Sequence, residues 1–408
     1  MTDRIAAIRA QFSSLNSGVA HFDSPGGTQV PDAVGDAVGR TLVSSISNRG
    51  RVTTAERAAD EVVVGARRAM ADLLHADPTG IVFGRSMTQL TYDLSRALAK
   101  TWQPGDEVVV TRLDHDANIR PWVQAAEAVG ATVRWVDFDP ESAELTPAHV
   151  AATLSVRTRL VAVTGASNLL GTRPDIAGIS EQVHAAGALF FVDGVHLTAH
   201  AAVDMVALGA DFYACSPYKF HGPHMGVLAA RPDVLSSVHP DKLRPSTDQV
   251  PERFELGTLP YELLAGATAA VDFLAGLAPE GTGAASGRSP RTRRELLVAA
   301  MNEIEAHEDK LRLVIEDGLS TMPGVTQRSQ AQHRTPTLLA TFRGRPAEEA
   351  HRFLAGLDVN APAGSFYAIE ASERIGLGAA GGLRMGLACY TDDSDVQRLL
   401  DGISRFLG

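Results

Sequence analysis

The chain of 408 residues has 45% hydrophobic content and a formal charge of -11 at pH 7, a length beyond a usual single core that predicts one large and one smaller domain. That charge gives no general attraction to phosphate backbones or anionic lipid, which makes nucleic acid and membrane surfaces poor partners. Two cysteines, Cys215 and Cys389, are too few for a disulfide framework or a zinc-ligand pattern, and the absence of a leader-like start or a membrane-length apolar run predicts a soluble cytoplasmic protein.

Within residues 1–20, Ile5, Ile8 and Phe12 fall at helical spacing and predict a short helix. Phe22-Asp23-Ser24-Pro25-Gly26-Gly27-Thr28 follows, where adjacent glycines either make an ordinary turn or let a ligand approach the backbone. Asn48-Arg49-Gly50 lies in a polar linker, the usual place of a solvated arginine. Thr54 to Leu74, with Val62, Val63, Ala66 and Ala69, reads as a long helix that packs on the sheet or on a partner subunit.

Ile81-Val82-Phe83 is a short strand that turns through Gly84-Arg85-Ser86-Met87-Thr88-Gln89 into an amphipathic helix bearing Leu90, Leu94 and Leu98. Strand, turn and helix in that order make an anion site, because the first helical N–H groups lack intrahelical partners. Thr88 also suits a plain N-terminal cap. Glu107-Val108-Val109-Val110-Thr111 is the next strand and leads to His115, which is either a solvated loop residue or a proton carrier at a site. Strand-like residues 132–136 and 160–164 alternate with helical segments, the pattern of a mostly parallel sheet covered on both faces. Asn168 follows the second of these, where a turn-forming role is the simplest account.

The apolar run 188–192 then delivers Asp193 to the carboxyl edge of a buried strand, where open α/β sheets bind ligands; a helix cap is the alternative. Phe212-Tyr213-Ala214-Cys215 similarly delivers Ser216-Pro217-Tyr218-Lys219-Phe220-His221-Gly222-Pro223. Taken alone, Lys219 is a surface lysine. Partly desolvated at such an edge, its neutral amine becomes available to form a Schiff base. An aspartate one strand earlier suits pyridoxal 5'-phosphate, whose pyridine nitrogen a carboxylate keeps protonated. Residues 278–290 read as a flexible linker or loop, and a helix from about 294 to 319 opens the smaller domain. Leu383-Arg384-Met385-Gly386-Leu387 places an arginine on an apolar strand, where it needs an internal carboxylate or the α-carboxylate of a bound amino acid.

Val192-Asp193-Gly194, residues 216–223 and Arg253-Phe254-Glu255-Leu256-Gly257-Thr258 resemble the class V aminotransferases of fold type I, in particular the cysteine desulfurase-like branch, and the similarity runs from residues 22–28 to 383–386. The resemblance implies an α/β fold: a large domain at 21–277 with a mostly parallel seven-stranded sheet, and a smaller α+β domain at 291–408 on which residues 1–20 rest. It further implies pyridoxal 5'-phosphate on Lys219, Asp193 at the ring nitrogen, His115 stacked on the ring, and Asn168 and His196 at the ring hydroxyl. Met87, Thr88, Ser216 and Tyr218 would serve the phosphate, joined by Thr258 from the other subunit of a homodimer with shared active sites. Arg384 would take the carboxylate of a small amino acid substrate, with Gly26 and Gly27 on the substrate side and Arg49 at the entrance, in one subunit or its partner.

Several positions depart from the family pattern. Relatives often carry two threonines where this chain has Met87 and Thr88, commonly have histidine at the Tyr218 position and commonly have glutamine at the His196 position. The stretch matching the loop that bears the nucleophilic cysteine of desulfurases is Asn360-Ala361-Pro362-Ala363-Gly364-Ser365-Phe366-Tyr367, which has none. A serine or tyrosine oxygen cannot form a persulfide. The expectation is therefore an enzyme acting on an amino acid through an external aldimine, with desulfurase-like carbon–sulfur lyase chemistry but no persulfide cysteine. A class V aminotransferase and a non-catalytic cofactor-binding or sulfur-transfer scaffold are the alternatives.

Overall fold

The computed structural model describes residues 2–279 and 291–408, so most of the stretch expected to be a linker, 280–290, lies outside the described residues. After the two-residue strand β1 (Ala20–His21) come seven strands: β2 (Ile81–Gly84), β3 (Glu107–Thr111), β4 (Thr132–Val136), β5 (Thr158–Thr164), β6 (Leu189–Asp193), β7 (Phe212–Cys215) and β8 (Gly226–Ala230). They form one sheet in the order β2-β8-β7-β6-β5-β3-β4. Only β8 runs against its neighbours; every other pair is parallel. Parallel strands are covered on both faces and therefore read as continuous apolar runs. Alternation along them splits the core: Val161, Val163, Phe190 and Val192 enter one hydrophobic cluster, and Leu160, Ala162, Phe191 and Phe212 enter the other.

The chain passes from β3 out to the edge strand β4 and returns on the other side of β3 through β5, β6 and β7. The order thus reverses between β3 and β5, and ligands bind outside the carboxyl ends of strands at such a reversal. His115 and Asn168 follow those two strands.

The remaining strands are β9 (Val325–Gln327), β10 (Thr337–Phe342), β11 (Val359–Asn360), β12 (Ala363–Gly364) and β13 (Gly382–Gly386). Four of them form an antiparallel sheet, β12-β13-β10-β9, while β11 pairs with β1. Leu311 and Ile315 of the helix Arg293–Ser320 and Ile403 and Phe406 of the helix Asp393–Leu407 share a core with Leu338, Leu383 and Met385 of this sheet. The segment 22–28 ties the two sheets together. Gly386 donates its backbone N–H to the Phe22 carbonyl at 2.9 Å, and Thr28 donates to the Tyr218 carbonyl at 3.1 Å. The N-terminal helix Thr2–Arg9 is held by Arg9, which pairs with Asp395 at 2.6 Å and donates to the Tyr390 carbonyl at 2.7 Å.

The helix Thr54–Leu74 starts at a capping box made by Thr53 and Glu56 and packs on the helix Tyr261–Gly276 and on β2. On its buried face Arg67 forms a two-pronged pair with Glu255, at 2.8 and 2.9 Å, and Glu255 also accepts the Phe83 N–H of β2 at 2.9 Å. Arg67→Ala strands the buried Glu255 carboxylate and is expected to destabilise the fold by about 3–5 kcal/mol. The check is the shift in the midpoint of chemical denaturation. Among the described residues no helix is long and apolar enough to cross a membrane.

Candidate active site

A cavity of about 570 Å³ opens where the carboxyl ends of β3, β5, β6 and β7 meet the start of the helix Met87–Ala99. The sequence-predicted residues Met87, Thr88, His115, Asn168, Asp193, His196, Ser216, Tyr218, Lys219, Arg384 and Gly26 all line it. The cap of the helix is Ser86, whose hydroxyl accepts the Gln89 N–H at 3.1 Å, so Thr88 is not the cap and sits inside the first turn on the cavity wall. Gly226 of β8 lies against this turn so closely that a Cβ there would stand 2.2 Å from the Ser86 carbonyl carbon. Only glycine lets the strand approach the helix start at that distance.

The ammonium of Lys219 donates to the Pro25 carbonyl at 2.5 Å and lies 4.9 Å from the centre of the Tyr218 ring. Burial, reinforced by the Arg384 charge and opposed by Asp193, lowers its pKa to about 7. Burial raises Asp193 to about 6, opposed by the Val195 N–H that its Oδ1 accepts at 2.9 Å and by the Lys219 charge. The glycine following Asp193 has a packing cause: a Cβ on Gly194 would overlap the Tyr213 ring, at 1.9 Å from its Cζ.

His115 Nδ1 accepts the Ala117 N–H at 3.0 Å, which places the ring proton of neutral His115 on Nε2. Burial and the Lys219 charge pull its pKa down to about 4, so the ring is neutral at pH 7. Behind it Asp114, buried and bonded to Thr111 and to Asn118 Nδ2, is raised by burial to about 8. His196 Nε2 is within 3.0 Å of the Thr335 hydroxyl and 2.9 Å of the Thr337 hydroxyl, leaving Nδ1 as the ring nitrogen for any ligand. Burial holds the His196 pKa well below the ordinary imidazole range.

Asn168 uses its amide N–H to bind the Phe366 carbonyl at 2.9 Å, while its Oδ1 is buried without a partner. Arg384, on β13, donates through Nη1 to the Asn168 carbonyl at 3.1 Å, and its Nε has no partner. It makes no ion pair among the described residues, which removes the internal salt bridge as its explanation. Burial lowers its pKa to about 9, opposed by the Asp23 charge.

Gly27 lies in an adjoining groove with Gly26, Tyr218 and Arg384. Two predicted residues stand outside the cavity of this chain. Arg49 bonds Asp60 at 2.9 Å and Glu252 at 3.2 Å, and Thr258 is exposed on the chain beyond Glu255. Conversely, Tyr92, Asp116, Arg120 and Tyr367 line the cavity without having been singled out. Tyr92 is legible in retrospect as the i+4 neighbour of Thr88 on one helix face. Asp116 and Arg120 form an i, i+4 ion pair at 2.8 Å.

The family model described as Aminotransferase class-V matches residues 20–285 and 295–399. An uncharacterized protein of Mycobacterium tuberculosis is 32% identical over 98% of both chains. A cysteine desulfurase of Dickeya dadantii is 30% identical, covering 98% of this chain and 96% of the other. The crystal structure of the cysteine desulfurase CsdA of Escherichia coli, in its S-sulfonic acid form, superposes with a TM-score of 0.84 at 27% identity over 98% of both chains. With the lysine, aspartate and arginine gathered around one cavity and a family match spanning nearly the whole chain, this protein belongs to the class V aminotransferases, in the cysteine desulfurase-like branch of the fold type I pyridoxal phosphate-dependent enzymes.

Proposed function

We propose that the cavity binds pyridoxal 5'-phosphate on Lys219 and that the protein cleaves a carbon–sulfur bond of an amino acid without a persulfide cysteine. The observation that carries this reading is the meeting of Lys219, Asp193 and the unpaired Arg384 around one cavity that no cysteine lines. The residues fit the cofactor: Asn168 Oδ1 is a buried acceptor without a partner, suited to a ring hydroxyl, and the N–H groups that open the helix Met87–Ala99 suit a phosphate. When bound, pyridoxal phosphate supplies an electron sink for the carbanion formed at the substrate α-carbon.

The chain's own residues do the rest. The Asp193 carboxylate, still largely ionised at pH 7, would serve to keep the pyridine nitrogen of the bound cofactor protonated. The Lys219 amine, with a pKa near the working pH, takes and returns the α-proton. Arg384 offers Nε and Nη2 to the α-carboxylate, a forked donor suited to two parallel hydrogen bonds. Neutral His115 shields the site and offers its Nε2 proton. Thr258 acts across a homodimer interface in this reading and Arg49 stands at the substrate entrance of one subunit or its partner; the reading also takes 21–277 as the cofactor domain and 291–408 as the smaller domain of a cytoplasmic enzyme.

The names of the relatives from Dickeya dadantii and Escherichia coli support sulfur amino acids as substrates. Transamination is the second reading, since it too needs no reactive thiol. Cys215 and Cys389 are both buried. Cys389 Sγ lies 3.3 Å from His221 Nε2, and burial pushes both thiols up in pKa, away from the reactive thiolate. Assaying the cofactor-loaded protein against a panel of amino acids separates the readings. Sulfide with pyruvate and ammonia is expected from the lyase, the products of β-elimination and hydrolysis with no net redox change. Keto acid formed only with an amino acceptor would replace the lyase reading with transamination, and a cofactor band that no amino acid shifts would leave a binding protein.

A further inference from the structure

Phe366 and Tyr367 are consecutive residues with φ of 53° and 58°. Left-handed backbone is disfavoured for aromatic residues and persists where surrounding contacts hold it. Here both carbonyls of the turn are held from the large sheet. Asn168 Nδ2 donates to the Phe366 carbonyl at 2.9 Å, and the Asp116 N–H donates to the Tyr367 carbonyl at 2.7 Å. Three residues on, Glu370 bridges Arg112 and Arg120, at 2.5 and 3.2 Å. The turn is therefore clamped to the loops that follow β3 and β5.

Its two rings press on two different residues of the candidate site. Phe366 stacks on the guanidinium of Arg384, with 3.6 Å from Cζ to the ring centre. Tyr367, 77% exposed, stacks on His115 at 5.5 Å between ring centres and 27° between planes. Because the stack covers a face of the guanidinium and the Asn168 carbonyl engages Nη1, the Nε–Nη2 edge is left for a ligand.

We infer that the Phe366–Tyr367 turn is a positioning element serving both residues, an inference that rests on the carboxylate role proposed for Arg384. Phe366 fixes the plane of Arg384 so that its open edge meets the α-carboxylate of a free amino acid. Tyr367 backs the His115 ring and fixes its tilt toward the cofactor. Neither side chain takes part in bond making or breaking. They act through the residues they stack on.

The test uses the cofactor-loaded enzyme, titrated with a cognate amino acid and followed by cofactor absorbance, with kcat and KM measured in parallel. Phe366→Ala is expected to raise the amino acid dissociation constant and KM about 10-fold, the scale of a desolvated cation–π contact, while leaving the resting cofactor band in place. Phe366→Trp is expected to recover most of that loss. In an Arg384→Ala background the further change Phe366→Ala is expected to add less than about twofold, because the residue it acts through is gone. Tyr367→Ala is expected to displace the resting band or its pH midpoint with little change in dissociation constant, and Tyr367→Phe to restore it. Unaltered affinity in Phe366→Ala, no recovery with tryptophan, full additivity with Arg384→Ala, or an unmoved band in Tyr367→Ala would each overturn the assignment. A parent enzyme that binds no amino acid would instead remove the functional reading beneath it.

Discussion

Lys219→Ala is expected to abolish borohydride-reducible attachment of pyridoxal phosphate and to lower turnover roughly a thousandfold or more, the scale set by losing a positioned acid–base group together with the covalent anchor. Lys219 is the lysine that lines the cavity. The prediction extends to pH. Attack on an aldehyde needs the neutral amine, and with a pKa near 7 about half of Lys219 is neutral at pH 7. An ordinary lysine near 10.4 would be neutral in roughly one chain in two or three thousand. Reconstitution of cofactor-free protein should therefore accelerate between pH 6 and 8 and level off above it, followed by growth of the cofactor absorbance band. Acceleration that continues up to pH 10 would show that the lysine is not desolvated. An adduct mapped by mass spectrometry to another peptide would place the anchor elsewhere.

The second large effect concerns Arg384. Its replacement by alanine is expected to weaken amino acid binding roughly 100-fold, as for loss of a charge-assisted forked pair in a buried site, while cofactor loading stays intact. Lysine should not rescue it, because a point charge does not reproduce the planar fork. Burial lowers the guanidinium pKa from its ordinary value, yet a guanidinium keeps its proton through the working pH range, so the site stays positively charged. An Arg384→Ala protein that binds amino acids normally would count against the carboxylate role.

Much of this protein was set by local sequence. Residues 107–111, 132–136 and 212–215 are strands at the predicted bounds, and Thr54–Leu74 is the predicted helix, because apolar periodicity and capping act over one or two turns. Lys219 and Asp193 were legible for the same reason, each lying at or within a few residues of the end of a buried apolar run, and strand ends of a parallel sheet share one edge. Long-range packing decided what spacing could not. Arg67 and Arg384 are both buried arginines, yet one is paired for good with Glu255 and the other is left open, a difference made by which distant segment arrives beside each. Ser86 rather than Thr88 caps the helix Met87–Ala99, since the choice lies in the backbone angle at which the strand feeds the helix. Arg49 and Thr258 stand away from the cavity of their own chain. The Phe366–Tyr367 turn was invisible in the sequence because aromatic residues carry no preference for left-handed backbone. Only contacts from Asn168 and Asp116, about 200 and 250 residues away along the chain, hold them there.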